Sequence, residues 1–194
     1  MSNVAARRAA SAGLLNIGER PLLQQAAAVF AGTIALAIAS QIAVPMIPVP
    51  VTMQTFAVTM IGALYGWRLG FVTVLAWLGE AALGLPVLAN GASTAAFFGP
   101  TAGYLASFPI VAALTGWLAQ RGWNGRNVGL AFGAMLVGNA LCLAVGGLWL
   151  AALIGFEKAM LVGVVPFILG GVLKSALGAA VLKALPGRWT TSAR

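Results

Sequence analysis

Residues 22–44 read LLQQAAAVFAGTIALAIASQIAV, an apolar run of 23 residues without one charged side chain, and residues 45–50, PMIPVP, follow it. About 20 apolar residues in a helix cross the roughly 30 Å hydrocarbon core of a bilayer. Three prolines within the next six residues forbid the helix to continue, because proline lacks the N–H and clashes with the preceding turn. This run therefore reads as a membrane span, and the whole chain has the same character. Of 194 residues, 61% are hydrophobic and 7% charged, with a mean hydropathy of +0.98. A soluble domain carries roughly 25% charge. The long unbroken runs exclude a β-barrel, which alternates apolar and polar residues, and the composition excludes disorder. Met1 to Arg20 resembles the basic start of a signal peptide, but the apolar run after it is too long and lacks a small-residue cleavage site, so it is read as retained.

Working outward, a second span is expected over about Thr52–Tyr65, stopped by Gly66-Trp67-Arg68-Leu69-Gly70. A third runs over Phe71–Leu83 and breaks at Gly84-Leu85-Pro86; both are short for a full crossing. The uncharged loop from Pro86 to Pro100 is too rich in Gly and Pro for a helix, and such a loop in a membrane protein sits against a cavity or dips inward. Further spans are expected over Thr101–Ala119, Val128–Val145, with a break at Gly146-Gly147, and Met160–Leu185. The fold class is thus an all-α integral membrane protein of six transmembrane helices. Six spans put both termini on one side. With that side cytoplasmic, the inner basic residues are Arg7, Arg8, Arg20, Arg68, Arg121, Arg126, Lys183, Arg188 and Arg194, against Lys158 outside. That bias obeys the positive-inside rule, and a five- or seven-span chain would place Arg188 and Arg194 outside. The expected organisation is a cytoplasmic segment, 1–21, a single membrane domain, 22–185, and a cytoplasmic tail, 186–194.

The same composition excludes chemistries. There is no His or Asp, one Cys (Cys142), and three scattered Glu: Glu19, Glu80 and Glu157. A zinc or haem site, a Ser-His-Asp triad and a disulfide framework lack their parts. So do a carboxylate-held Mg²⁺ site and a P-loop. The reading is a non-enzymatic protein with no cofactor and no metal. The formal net charge of +8 belongs to membrane orientation and anionic lipid rather than to nucleic acid.

A few residues stand out. Lys174 lies within the sixth span, where a cation costs at least ~2.5–3.5 kcal/mol and normally faces a cavity or a partner. The preceding Leu169-Gly170-Gly171 leaves room beside it, which favours ligand contact over snorkelling or pairing with Glu80. Asn90 supplies two donors and an acceptor in the outer loop, although Asn-Gly is also a common turn dipeptide. Gln54, opening the second span, can cap a helix or line a pocket. Ala27, Ala31, Ala35 and Ala39 recur at four-residue spacing in the first span, broadened by Ala28 and Gly32. They form a small-residue stripe for close helix approach, either within this chain or with a separate membrane subunit.

The stretch Val44-Pro45-Met46-Ile47-Pro48-Val49-Pro50-Val51-Thr52-Met53-Gln54-Thr55-Phe56-Ala57-Val58 resembles the first outer loop and second span of the BioY family, the biotin-binding S components of energy-coupling factor (ECF) transporters. Gly84-Leu85-Pro86-Val87 and Gly99-Pro100-Thr101-Ala102-Gly103-Tyr104 are similar to its later loop motifs, in the same order. The resemblance runs from about Ala27 to Leu185. It implies a cell-membrane, high-affinity vitamin-binding subunit that works with a membrane coupling protein (T component) and ABC-type ATPases. Asn90 and Lys174 then match biotin-contacting positions, and the alanine stripe becomes the docking face. Gln54 and Tyr104 are the candidates for extra polar contact and ring packing. One departure is plain: where the family carries Asp three residues before the Lys, this chain has Gly171. The rival readings are an S component for thiamin or riboflavin, or a membrane assembly protein whose Lys174 pairs with Glu80. The sequence leaves open whether the chain acts as a homo-oligomer.

Overall fold

A computed structural model of the chain describes residues 17–185. Arg7, Arg8, Arg188 and Arg194 of the orientation count, and most of the two terminal segments, lie outside the described residues. Six long helices follow one another: α1, Leu22–Gln41; α2, Gln54–Tyr65; α3, Trp67–Ala82; α4, Ala102–Gln120; α5, Val128–Ile154; and α6, Phe156–Ala184, in which Met160–Val164 is a π-helical stretch. Helices α1, α4, α5 and α6 are long and apolar enough to cross a membrane. Helices α2 and α3, at 12 and 16 residues, rise about 18 and 24 Å, short of a perpendicular crossing.

The chain reverses between α2 and α3 at one residue. Gly66 has φ 80° and ψ 170°, a conformation open to glycine, so two helices are joined without a loop. Helix α3 starts at once with Trp67, four residues before the expected Phe71. Gly70 does not break it, because Gly70 faces Gly62 of α2 and the two backbones need that closeness. Helix α5 likewise runs through Gly146-Gly147, where the sequence pointed to a break, and continues to Ile154. A Cβ at Gly146 would collide with the ring of Tyr104 and one at Gly147 with Val164, so these glycines serve packing rather than termination. Helix α1 ends at Gln41, short of Val44, because residues 43–44 pair as a strand, β1 (Ala43–Val44), with β2 (Val51–Thr52), antiparallel, Ala43 opposite Thr52.

Consecutive helices run antiparallel, as their contacts require. Tyr65 donates to the Ala28 carbonyl at 3.0 Å near one end of α1 and α2, and Gln54 reaches Ser40 at 3.2 Å near the other. Gly146 meets Tyr104, and farther along Gly138 meets Val111 and Thr115; Gly171 meets Asn139 and Gly178 meets Met135. Helix α4 is the hub, packed against α2, α3 and α5, while α6 lies on α5 and α1 on α3. In keeping with that, 67% of an 18-residue stretch of α4 is buried, against 17% in α1 and in α6. The core between them centres on Trp77, stacked on Phe108 at 6.0 Å. The prolines of residues 45–50, residues 83–101 and the α5–α6 junction gather at one end. Arg20, Arg68, Arg121, Arg126 and Lys183 fall at the other, which also carries the Arg68–Trp67 and Arg121–Trp117 stacks.

Candidate functional site: a roofed cavity at the loop end

Two loops roof the bundle at the proline end. The first, residues 42–53, holds its β1–β2 pairing and a cis Ile47–Pro48 bond. The second, residues 83–101, is tied down along its length by side chains from three helices. Trp77 Nε1 donates to the Val87 carbonyl at 3.1 Å, Gln41 Nε2 to that of Leu88 at 3.0 Å, and Trp149 Nε1 to that of Gly99 at 3.1 Å. In a membrane protein, irregular backbone is tolerated where it lines a cavity. Beneath the loops lies a cavity of about 410 Å³, within the size range of small-molecule sites.

Its walls are mainly apolar, with Val49, Leu88, Leu105, Phe108, Leu143 and Phe167 among them. Helix α4 contributes Tyr104, whose ring stacks on Phe167 at 6.3 Å and whose hydroxyl donates to the Gly163 carbonyl at 2.7 Å. That carbonyl sits in the π-helical stretch of α6, so Tyr104 fixes the irregular turn that sets Phe167 against the cavity. Among the described residues lining the cavity, Lys174 is the one charged side chain. Its Nζ donates to Thr55 Oγ1 at 3.4 Å, leaving further N–H groups for a guest. Among the described residues Lys174 has no ionic partner, and Glu80 is not part of the cavity wall. The Lys174–Glu80 pair that an assembly-protein reading needs is not formed.

All four polar residues singled out from the sequence as substrate contacts, Gln54, Asn90, Tyr104 and Lys174, line this one cavity, and the geometry separates their roles. Asn90 is both a turn residue and a wall residue. With φ 56° at Asn90 and 73° at Gly91, the pair occupies the centre of a tight turn closed by Ala92 N–H to the Ala89 carbonyl at 3.1 Å. Among the described residues its side-chain amide has no hydrogen-bond partner. Gln54 differs: its Nε2 donates to Ser40 Oγ at 3.2 Å and its Oε1 accepts from Thr52 at 3.0 Å, all three being buried. Its amide ties α1 to the start of α2. Among the polar wall residues not singled out from the sequence are Thr55 and Asn139. Thr55 stands inside the resembling stretch, next to Gln54, and could have been found there. Asn139 is a lone polar residue in an apolar run with no motif around it.

The family model for BioY matches residues 8–191. The chain belongs to the BioY family. It is 38% identical over 136 residues to a biotin transporter BioY of Rhizobium etli, covering 66% of this chain and 73% of that protein. It is 35% identical over 121 residues to a probable biotin transporter BioY of Pyrococcus horikoshii, covering 62% and 70%. The crystal structure of an S-component for biotin from an ECF-type ABC transporter superposes with a TM-score of 0.72 at 26% identity, covering 84% of this chain and 93% of that one. This BioY-family chain is accordingly an integral membrane protein of a transporter family.

The alanine stripe splits in this BioY-family fold. Ala27, Ala31 and Ala35 are exposed, together with Phe30, Ile34 and Ile38, whereas Ala39 turns into the core. Ala28 and Gly32, which broaden the stripe in sequence, pack inward against Tyr65 and Thr73.

Replacing Gln54 with Ala strips Thr52 and Ser40 of a buried partner, a loss of about 1–3 kcal/mol. Denaturant unfolding of the detergent-solubilised protein should show that loss. Unchanged stability would mean that the amide spends its hydrogen bonds in the cavity instead.

Proposed function

We propose that the chain is the biotin-binding S component of an ECF-type transporter: a multi-pass subunit of the cell membrane that captures the vitamin for uptake and is energised by a T component and ABC-type ATPases. The observation that carries this reading is the convergence of Lys174 and Asn90, 84 positions apart, on one loop-roofed, mainly apolar cavity. Family membership and the names of the relatives agree with it. Biotin has an anionic tail, an apolar sulfur ring and a ureido ring with two N–H donors and one carbonyl. Lys174 supplies the charged donor, to the carboxylate or to the ureido oxygen. Asn90 offers donors and an acceptor from the roof. Tyr104, its hydroxyl engaged, offers its ring, and Gln54 holds the wall.

Titration of purified protein with biotin tests the reading. Lys174→Ala should weaken binding about ten- to a hundredfold, since a hydrogen bond to a charged group contributes roughly 1.5–3 kcal/mol. Asn90→Ala should cost about fivefold, for a neutral bond worth ~1 kcal/mol. An unchanged dissociation constant in Lys174→Ala removes that residue from the site. Displacement by thiamin or riboflavin but not by biotin would reassign the substrate within the same transport class.

All six helices are proposed to span the membrane, with 1–21 and 186–194 cytoplasmic on either side of the membrane domain, 22–185. Among the described residues, five cations at the end away from the cavity, Arg20, Arg68, Arg121, Arg126 and Lys183, face Lys158 alone at the loop end, which supports that orientation. Reporter fusions at the two termini should both read cytoplasmic, and opposite answers would end the six-span topology.

The outward face of α1 at Ala27, Ala31 and Ala35 is proposed as the surface that meets the T component, with Ala39 as its buried inner end. Small exposed residues at helical spacing admit close approach of another helix. Ala31→Trp or Ala35→Trp should leave biotin binding in detergent intact while complex formation and uptake fall. Loss of binding and folding together would place the stripe in this chain's own packing, and no effect on either assay would leave it facing lipid.

A further inference from the structure

Asn139 of α5 is 5% exposed and stands in the cavity wall. Its Nδ2 donates to the Met135 carbonyl at 3.0 Å and to Ser175 Oγ at 3.1 Å. Ser175 in turn donates its own hydrogen to the Gly171 carbonyl at 2.7 Å, so its oxygen can only accept from Asn139. Both N–H groups of the amide are thereby spent, and the orientation is forced, because turning the amide over would set its oxygen against the Met135 carbonyl oxygen. What remains is Oδ1, an acceptor with two lone pairs and, among the described residues, no donor. A buried amide oxygen without a donor costs stability, and here it borders an open cavity. Across from it lies Gly171. A methyl on Gly171 would stand 3.9 Å from Oδ1, so the missing side chain keeps the approach to that oxygen clear.

We infer that Asn139 is a specificity residue: its Oδ1 accepts a hydrogen bond from an N–H of the ligand, and Gly171 is the gap through which that N–H arrives. With Lys174 one helical turn beyond Gly171, the α5–α6 wall presents a donor beside an acceptor. This inference rests on the biotin reading. Ionised biotin carries N–H groups only in its ureido ring, so that ring lies against α5 and α6.

The test is a cycle of protein variant against ligand variant. Asn139→Leu replaces the amide by an apolar group of similar size. It orphans little, since Ser175 keeps its bond to the Gly171 carbonyl. Biotin and a biotin methylated at the ureido nitrogens are titrated into both proteins, with thermal unfolding of each recorded. Wild type should bind biotin about five- to tenfold more tightly than Asn139→Leu does, and methylation should weaken wild type far more than the variant. Gly171→Ala, whose methyl meets only ordinary contacts, provides a second variant in case Asn139→Leu fails to fold. It should weaken biotin by about two- to fivefold with its unfolding midpoint held. Equal loss of both ligands in Asn139→Leu, or unchanged biotin affinity in that variant or in Gly171→Ala, overturns the inference while leaving biotin binding in place. A wild type that binds no biotin overturns the function reading first, and this one with it.

Discussion

A hydroxyl surrounded by hydrocarbon must find its acceptor close by, and in this bundle most find it in their own helix. Thr33 donates to the Phe30 carbonyl, Ser40 to Leu36, Thr73 to Leu69, Ser107 to Tyr104, Thr115 to Val111 and Ser175 to Gly171. The result is that small polar side chains disappear into the helices and the helices can meet tightly at Gly62, Gly138 and Gly146. Backbone obeys the same constraint. The loop over residues 83–101 is held because Trp77, Gln41 and Trp149 donate to its carbonyls, and the loop over residues 42–53 by its β1–β2 pairing. Where the constraint is not met among the described residues, at Asn90, Asn139 Oδ1 and the remaining donors of Lys174, the residue lines the cavity. The candidate site lies where internal satisfaction stops.

The fold was readable in the sequence wherever it depended on length and apolarity. Helix α4 was expected over Thr101–Ala119 and is found over Ala102–Gln120. The reading failed where glycine had two meanings. Gly70 and Gly146-Gly147 look like stops in a linear chain, yet each serves a neighbour that sequence spacing does not show: Gly62, the Tyr104 ring and Val164. Gly66, with its positive φ, is the genuine stop, and nothing local distinguishes it from Gly70. The uncharged loop between Pro86 and Pro100 was legible as a cavity cover because charge is what such a loop would otherwise need.

The site was legible through chemistry that is rare in this composition. One lysine in an apolar span and one Asn-Gly in an uncharged loop are conspicuous, and both reached the cavity. Gln54 was equally conspicuous, but its amide serves Ser40 and Thr52, a choice made by the antiparallel pairing of α1 and α2. Asn139 was inconspicuous because its meaning comes from Ser175, 36 positions away. A residue whose role is set by what consumes its donors cannot be read before those donors have partners.

Electrostatics ties these observations to a ligand. A cation within a hydrophobic helix costs at least ~2.5–3.5 kcal/mol on insertion scales, and a carboxylate beside it would offset part of that. None lies in this cavity wall among the described residues, and position 171, one turn before Lys174, is glycine. Thr55 provides Lys174 with a single neutral acceptor. Among the described residues the cavity wall therefore carries an incompletely satisfied cation and an unpaired amide oxygen under one roof. A guest relieves both when it brings an anionic or carbonyl oxygen together with an N–H, and an apolar body fills the space among Leu88, Phe108 and Phe167. A purely apolar guest would bury Lys174 without a partner, and a guest bearing a second cation would repel it. On the proposed function, selection follows from what the bundle leaves unsatisfied as much as from the shape of the cavity.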